Sequence, residues 1–120
     1  MIDISDPAQP KEVAFYHVDG AGTHNFSVDE ANGVLYAAYY NGGVRAIDVR
    51  GDLGTCPASQ QNLDVSANLT RCDLRLMGRE LAIGLGNLNR NVYVWGVQYL
   101  NGNVYASDMV NGIWKLVAAK

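Results

Sequence analysis

Between His24 and Val49, and again between Tyr93 and Ala118, apolar and polar residues alternate in stretches of strand length broken by turns that carry glycine. Asn32-Gly33 and Asn101-Gly102 each separate two runs rich in apolar, β-branched or aromatic residues, the strongest short-range signal for a hairpin. A two-residue type I′ turn needs positive φ at both central positions, which Asn and Gly tolerate, so both dipeptides are predicted to adopt it. Val34 to Tyr39 and Asn103 to Asp108 then lead into second turns at Asn41-Gly42-Gly43 and Asn111-Gly112. Val44 to Val49 and Ile113 to Val117 follow, alternating as half-buried strands do. Three antiparallel strands joined by tight turns make a meander. Arg71 to Leu85 comes nearest to a helical period, but Gly78 and Gly84 weaken it, so the predicted class is all-β.

The two stretches are copies of one another. Displacing the chain by 69 positions lays His24 to Val49 on Tyr93 to Ala118 without a gap, and six of the 26 pairs are identical: Val28 with Val97, Asn32 with Asn101, Gly33 with Gly102, Tyr36 with Tyr105, Ala37 with Ala106 and Gly43 with Gly112. Average residue usage would give about one or two. Others exchange like for like, as Phe26 with Trp95, Leu35 with Val104, Val44 with Ile113 and Ile47 with Leu116. A displacement of 45 lays Ile2-Asp3-Ile4 on Ile47-Asp48-Val49. That spacing is close to the ~40 to 45 residues of a four-stranded propeller blade. The 69-residue spacing is then one blade plus an insertion of about 24.

Ile2-Asp3-Ile4-Ser5-Asp6-Pro7, Leu35-Tyr36-Ala37-Ala38-Tyr39 and Gly43-Val44-Arg45-Ala46-Ile47-Asp48-Val49 resemble the LVIVD-repeat family. The likeness covers both copies and the opening segment and leaves out mainly Arg50 to Asn91. It implies a β-propeller, exported or surface-associated in bacteria, with no shared catalytic motif. The second copy departs from the pattern, with Val117-Ala118 where Ile-Asp-Val would lead into a further blade, as at the end of an array.

The expected architecture is therefore four-stranded antiparallel meanders, about two to three blades in an incomplete ring. Residues 1–22 read as the end of a preceding blade, its third strand at the opening and its fourth in Lys11 to Val18. Residues 23–91 read as a blade with an inserted loop over about 50–91, and 92–120 as the last blade, lacking its fourth strand. A ring hides edges that would otherwise invite aggregation, so about four or more blades are expected from elsewhere. Their source is either the rest of a longer protein, of which this is the C-terminal part, or further copies assembling into a ring.

Cys56 and Cys72 lie 16 apart inside the insertion, in a stretch rich in Ser, Asn, Gln and Gly. A disulfide there would stabilise a segment with little core of its own by about 3 kcal/mol and would imply an oxidising compartment. Two buried free thiols are the alternative. No zinc spacing accompanies them, so no metal site is expected.

Charged residues make up 18% of the chain against about 25% in ordinary soluble proteins, which suits much buried or mated surface. The net charge of −3, with no cluster of Lys or Arg, removes the footprint that phosphate-backbone binding needs, so nucleic acid is not an expected partner. No apolar run approaches the ~20 residues of a membrane span, and the opening residues do not form a signal peptide.

Candidate chemistry is sparse. No nucleophile elbow, phosphate loop, zinc-protease helix or dinucleotide fingerprint occurs, since Gly84-Leu85-Gly86 lacks the third glycine. No catalytic residue and no cofactor is assigned. His24 and Asn25, at the start of an innermost strand where propellers expose side chains to the channel mouth, and Asp108, which replaces Tyr39 in the copy, are the ligand-binding candidates. A purely structural hydrogen bond is the competing role for His24. The aromatic set Phe15, Tyr16, Tyr36, Tyr39, Tyr40, Trp95, Tyr99, Tyr105 and Trp114 reads as packing between blades. Asn25-Phe26-Ser27 and Asn68-Leu69-Thr70 match the glycosylation sequon. The function expected is a non-enzymatic, extracytoplasmic interaction or scaffold module, periplasmic, secreted or at the cell surface, whose partner is a protein or the remaining blades. The alternative is a ligand-binding or enzymatic propeller using polar groups at the channel mouth.

Overall fold

The computed structural model describes residues 1–65, 68–88 and 90–119. The chain is all-β: among the described residues the only helical element is one 3-10 turn, Ala58–Gln60. Among the described residues no helix is long and apolar enough to cross a membrane. The described residues fall into two compact units, one made of Met1–His17 with Arg50–Arg79, the other of Val18–Val49 with the chain from Glu80 onward.

In the second unit, strands β4 (Phe26–Asp29), β5 (Val34–Ala38), β6 (Val44–Asp48) and β9 (Glu80–Gly84) form a four-stranded antiparallel sheet in that order. Strands β10 (Val94–Leu100), β11 (Asn103–Asp108) and β12 (Gly112–Val117) form a three-stranded antiparallel sheet. Side chains alternate between the two faces of a strand, so Val34, Tyr36 and Ala38 share one face with Val44 and Ala46. That face is buried against Val97, Val104 and Ala106 of the second sheet. Two meanders packed face to face, neither closing on itself, give an incomplete, propeller-like all-β architecture.

The two hairpins that the sequence makes alike are built differently. Leu100 pairs with Asn103 across Asn101 and Gly102, both at positive φ (48° and 76°), the conformation of a type I′ turn. Asp29 instead pairs with Val34 across a four-residue loop in which Gly33, but not Asn32, has positive φ. The side chain of Asp29 accounts for the longer loop: its Oδ1 accepts the Asn32 N–H and its Oδ2 accepts the Asn32 amide at 2.8 Å. An aspartate bonded three residues onward holds a wide turn that a two-residue connection could not form.

The gapless repeat therefore holds for the later strands and slips in the first. Ala37 pairs with Arg45 as Ala106 pairs with Trp114, but Ala37 also faces Phe26 while Ala106 faces Val97, two positions later in the copy. A slip of two keeps every side chain on its own face, whereas a slip of one would have reversed the sheet.

The insertion over 50–91, expected as a loop, contains three strands. Glu80–Gly84 becomes the fourth strand of the first sheet, and strands β7 (Gln61–Asp64) and β8 (Leu69–Asp73) form a hairpin in the first unit. Polar composition hid the hairpin, since one face carries Gln61 and Thr70 and the other Asn62, Asp64 and Arg71, each with a single leucine. The turn at Gly78, with φ 71°, separates β8 from β9 and excludes the helix that 71–85 came closest to suggesting.

In the first unit β1 (Ile2–Asp3) pairs antiparallel with β2 (Lys11–Glu12), while β3 (Ala14–Phe15) leaves that sheet and runs parallel to β8. Lys11 to Val18 is thus divided between two sheets and is not one strand. Ala14, Cys72 and Leu74 are buried there. Cys56 and Cys72 form a disulfide, with their Cα atoms 5.9 Å apart. Cys72 lies within β8 and is buried.

Candidate functional site

His24 and Asn25 precede β4, and the chain there is fixed by its own backbone. The His24 N–H donates to the Ala38 carbonyl at 2.9 Å, Ala38 N–H returns a bond to the Asn25 carbonyl, and the Asn25 N–H donates to the Trp95 carbonyl at 3.3 Å. Tyr40 and Val94 exchange two backbone bonds of 2.8 and 2.9 Å, tying the turn after β5 to the start of β10. These bonds bring four rings together. His24 lies 5.6 Å from Tyr40 edge to face and 5.9 Å from Trp95, and Tyr40 lies 4.6 Å from Tyr93.

The cluster is at the surface: Tyr93 and Trp95 are 44% and 47% exposed. Tyr40 is held at φ 37°, a left-handed conformation that costs an aromatic residue about 1–2 kcal/mol. The paired bonds to Val94 maintain it. The sequence pointed to His24 but not to its companions. Tyr93 is its counterpart in the copy, and that was the available signal.

Asp108 takes a different role from the one the sequence suggested. It is buried, and its Oδ1 accepts the backbone N–H groups of Tyr93 and Val110, both at 2.9 Å. Its Oδ2 accepts the Asn111 amide at 2.7 Å and the Trp114 indole N–H at 3.0 Å. Burial by itself would raise the carboxyl pKa, but the bonds from Val110, Asn111, Trp114 and Tyr93 outweigh it and hold the group down to about 2. A carboxylate with four donors already seated closes the second turn of its sheet and has little capacity left for a ligand. Asp108 thus bonds to the Tyr93 backbone at the aromatic cluster, whereas Asn25 lines a separate depression.

Asn25 lies on a shallow depression of about 280 Å³ lined with Gln98, Tyr105, Ser107 and Ile113. These belong to the face of the three-stranded sheet turned away from the other sheet of this unit. Tyr105 pairs with Gln98 and Lys115, and Ser107 with Gly96 and Ile113. Alternation places Leu100 and Val117 on the same face. A Cβ at Gly96 would collide with the Ser107 hydroxyl, which would have to rotate away to admit it.

The expected packing role of the aromatic residues divides. Tyr36, Tyr99 and Trp114 belong to the region between the sheets, Trp95 and Tyr40 to the surface cluster, and Tyr105 to the outer face. Among the described residues no group of three or more His, Cys, Asp or Glu side chains is placed to hold a metal ion. No family model, curated protein or solved structure matches the chain.

Proposed function

We propose that this protein is a non-enzymatic interaction module of an extracytoplasmic assembly, and that it engages a protein partner through the outer face of the β10-β11-β12 sheet. The observation that carries this reading is a change of chemistry between the two copies. Val34, Ala38 and Ala46 line the face that the first sheet buries; at the same positions in the copy stand Asn103, Ser107 and Lys115, while Tyr36 and Val44 remain Tyr105 and Ile113. A face copied from a dry packing surface has kept its aromatic centre and gained polar groups around it. An aromatic anchor surrounded by amides and hydroxyls is the composition of a surface that binds and releases a partner, not of a permanently buried core.

The disulfide is at home in an oxidising compartment, which supports a periplasmic, secreted or surface location, as does the LVIVD-repeat resemblance. A photo-reactive side chain placed at Ile113 in the native compartment should cross-link one discrete partner. Tyr105→Glu should abolish that product, and His24→Ala should leave it unchanged.

A second reading is favoured by the ring cluster at His24, Tyr40, Tyr93 and Trp95, whose exposed rings offer a stacking platform for a small neutral ligand. Loss of cross-linking in His24→Ala but not in Tyr105→Glu would move the assignment to that cluster.

A further inference from the structure

We infer that Asn101, in the turn between β10 and β11, is the residue at which this chain deamidates spontaneously, and that the isoaspartate so formed opens that turn. The co-reactant is water. No enzyme and no partner takes part, so the chemistry stands whether or not the sheet binds a protein.

Asparagine followed by glycine is prone to this reaction because glycine has no side chain to shield its backbone nitrogen. The chain holds four such pairs: Asn32-Gly33, Asn41-Gly42, Asn101-Gly102 and Asn111-Gly112. All four asparagines are exposed, so access to water does not separate them. Hydrogen bonding does. The side-chain nitrogen that must depart donates to Asp29 Oδ2 at 2.8 Å in Asn32, and in Asn111 to Asp108 Oδ2 at 2.7 Å and to the Asn91 carbonyl at 2.9 Å. Those two carboxylates also oppose the negative charge that builds up during the attack. In Asn41 the same nitrogen donates to the Gly20 carbonyl at 3.0 Å, and Gly42 is buried with its N–H bonded to the Tyr39 carbonyl. Among the described residues, the Asn101 side chain has no hydrogen-bond partner.

The Gly102 nitrogen, once its proton has passed to hydroxide, attacks Asn101 Cγ. A bond forms between that nitrogen and Cγ, the Cγ–Nδ2 bond breaks, and Nδ2 leaves as ammonia with a proton taken from water, which restores the hydroxide. The product is a cyclic succinimide. Water then opens the ring at either carbonyl, giving its hydroxyl to the carbon and a proton to the nitrogen. Opening at Cγ leaves aspartate in an ordinary chain, and opening at the backbone carbonyl leaves isoaspartate, with the chain running through Cβ and Cγ. Two features of the turn assist the first step. The Asn103 side chain donates to the Asn101 carbonyl at 3.1 Å, on the same peptide group as the attacking nitrogen, and so stabilises its deprotonated form. A Cβ on Gly102 would meet nothing within 4 Å, so the ring has room.

The turn itself sets the pace and the consequence. Leu100 pairs with Asn103 across Asn101 and Gly102, which sit at φ 48° and 76°. Closing the ring rotates the Asn101–Gly102 peptide out of this left-handed arrangement, so the folded chain reacts more slowly than the unfolded one. Aspartate tolerates the first position of a type I′ turn as asparagine does, so that product keeps the turn. Isoaspartate adds a backbone carbon to a connection of only two residues, and Leu100 and Asn103 lose their pairing.

The experiment incubates the full 120-residue chain, folded and urea-unfolded, in mildly alkaline buffer. Peptide mapping by mass follows each Asn-Gly pair, and an isoaspartyl methyltransferase with a labelled methyl donor counts the isoaspartate. In the folded chain Asn101 should convert about tenfold faster than Asn32 and Asn111, which must first break a bond to a carboxylate, and about fivefold faster than Asn41, which must break a neutral one. In the unfolded chain the four should convert alike. Amide exchange at Leu100 and Asn103 should accelerate in the isoaspartate form but not in Asn101→Asp. Equal rates at the four sites of the folded chain, or earlier conversion at another of them, overturns the inference. So does a preference for Asn101 that persists in urea, or isoaspartate at Asn101 with unchanged exchange at Leu100 and Asn103.

Discussion

The rings of Tyr36 and Tyr99 lie 5.6 Å apart and within 8° of parallel, one contributed by each sheet of the second unit. The Tyr99 hydroxyl bonds to Asp29, whose carboxyl pKa is lowered first by the Asn32 side chain and also by this bond. One stack therefore joins the packing between the sheets to the wide turn that distinguishes the first hairpin from its copy. Tyr36 is almost fully buried. Tyr36→Ala should cost about 3–5 kcal/mol by removing a large core side chain, whereas Tyr36→Phe should cost less than about 1 kcal/mol, because its hydroxyl bond to Ala119 is long. Urea unfolding of the two variants measures the difference.

Asp108 should make the fold sensitive to acid. Its carboxyl titrates at about 2 in the folded chain against 3.8 for the unperturbed group, so the stabilisation is fully present above pH 4 and is lost as the pH falls through the interval from about 4 to 2. A shift of that size corresponds to roughly 2 kcal/mol. Urea midpoints at pH 7, 4 and 2.5 should fall mainly over the last step, and Asp108→Asn should show a lower midpoint at pH 7 with a smaller change in acid.

Reducing the Cys56–Cys72 bridge should destabilise the first unit by about 3 kcal/mol, since the closed loop restricts the unfolded chain. Amide exchange in the presence of a reductant should accelerate over Gln61–Asp64 and Leu69–Asp73 and leave Val34–Ala38 unaffected. Acceleration spread evenly over both units would show that they unfold as one.

Gly43 and Gly102 both have φ near 77°, yet they should respond differently to alanine. A Cβ on Gly102 meets nothing within 4 Å, so Gly102→Ala carries only the left-handed backbone cost of about 1–2 kcal/mol. A Cβ on Gly43 would run into the Gly84 carbonyl and the Gly86 nitrogen, both backbone atoms that cannot swing aside. Gly43→Ala should therefore lower the thermal midpoint substantially more than Gly102→Ala.

Alternation of apolar residues, the Asn-Gly turns and the 69-residue repeat determined the all-β class, the six strands of the two meanders and the tight turn of the second hairpin at Asn101-Gly102, because strand period and turn stereochemistry are local properties. The 16-residue spacing of the cysteines in a polar segment made their bridge legible too. The tertiary structure decided what depends on partners distant in the chain. Glu80–Gly84 lies outside the two aligned stretches, and only its pairing with β6 makes it a strand; β3 runs parallel to a strand nearly 60 residues away. Asp29 lengthens the turn of the first hairpin through bonds to Asn32 that no residue pattern displays. Asp108 looked available because its four donors come from Tyr93, Val110, Asn111 and Trp114, which the folding of one sheet brings to it. His24 acquired its aromatic neighbours in the same way, through backbone bonds that bring the starts of β4 and β10 together.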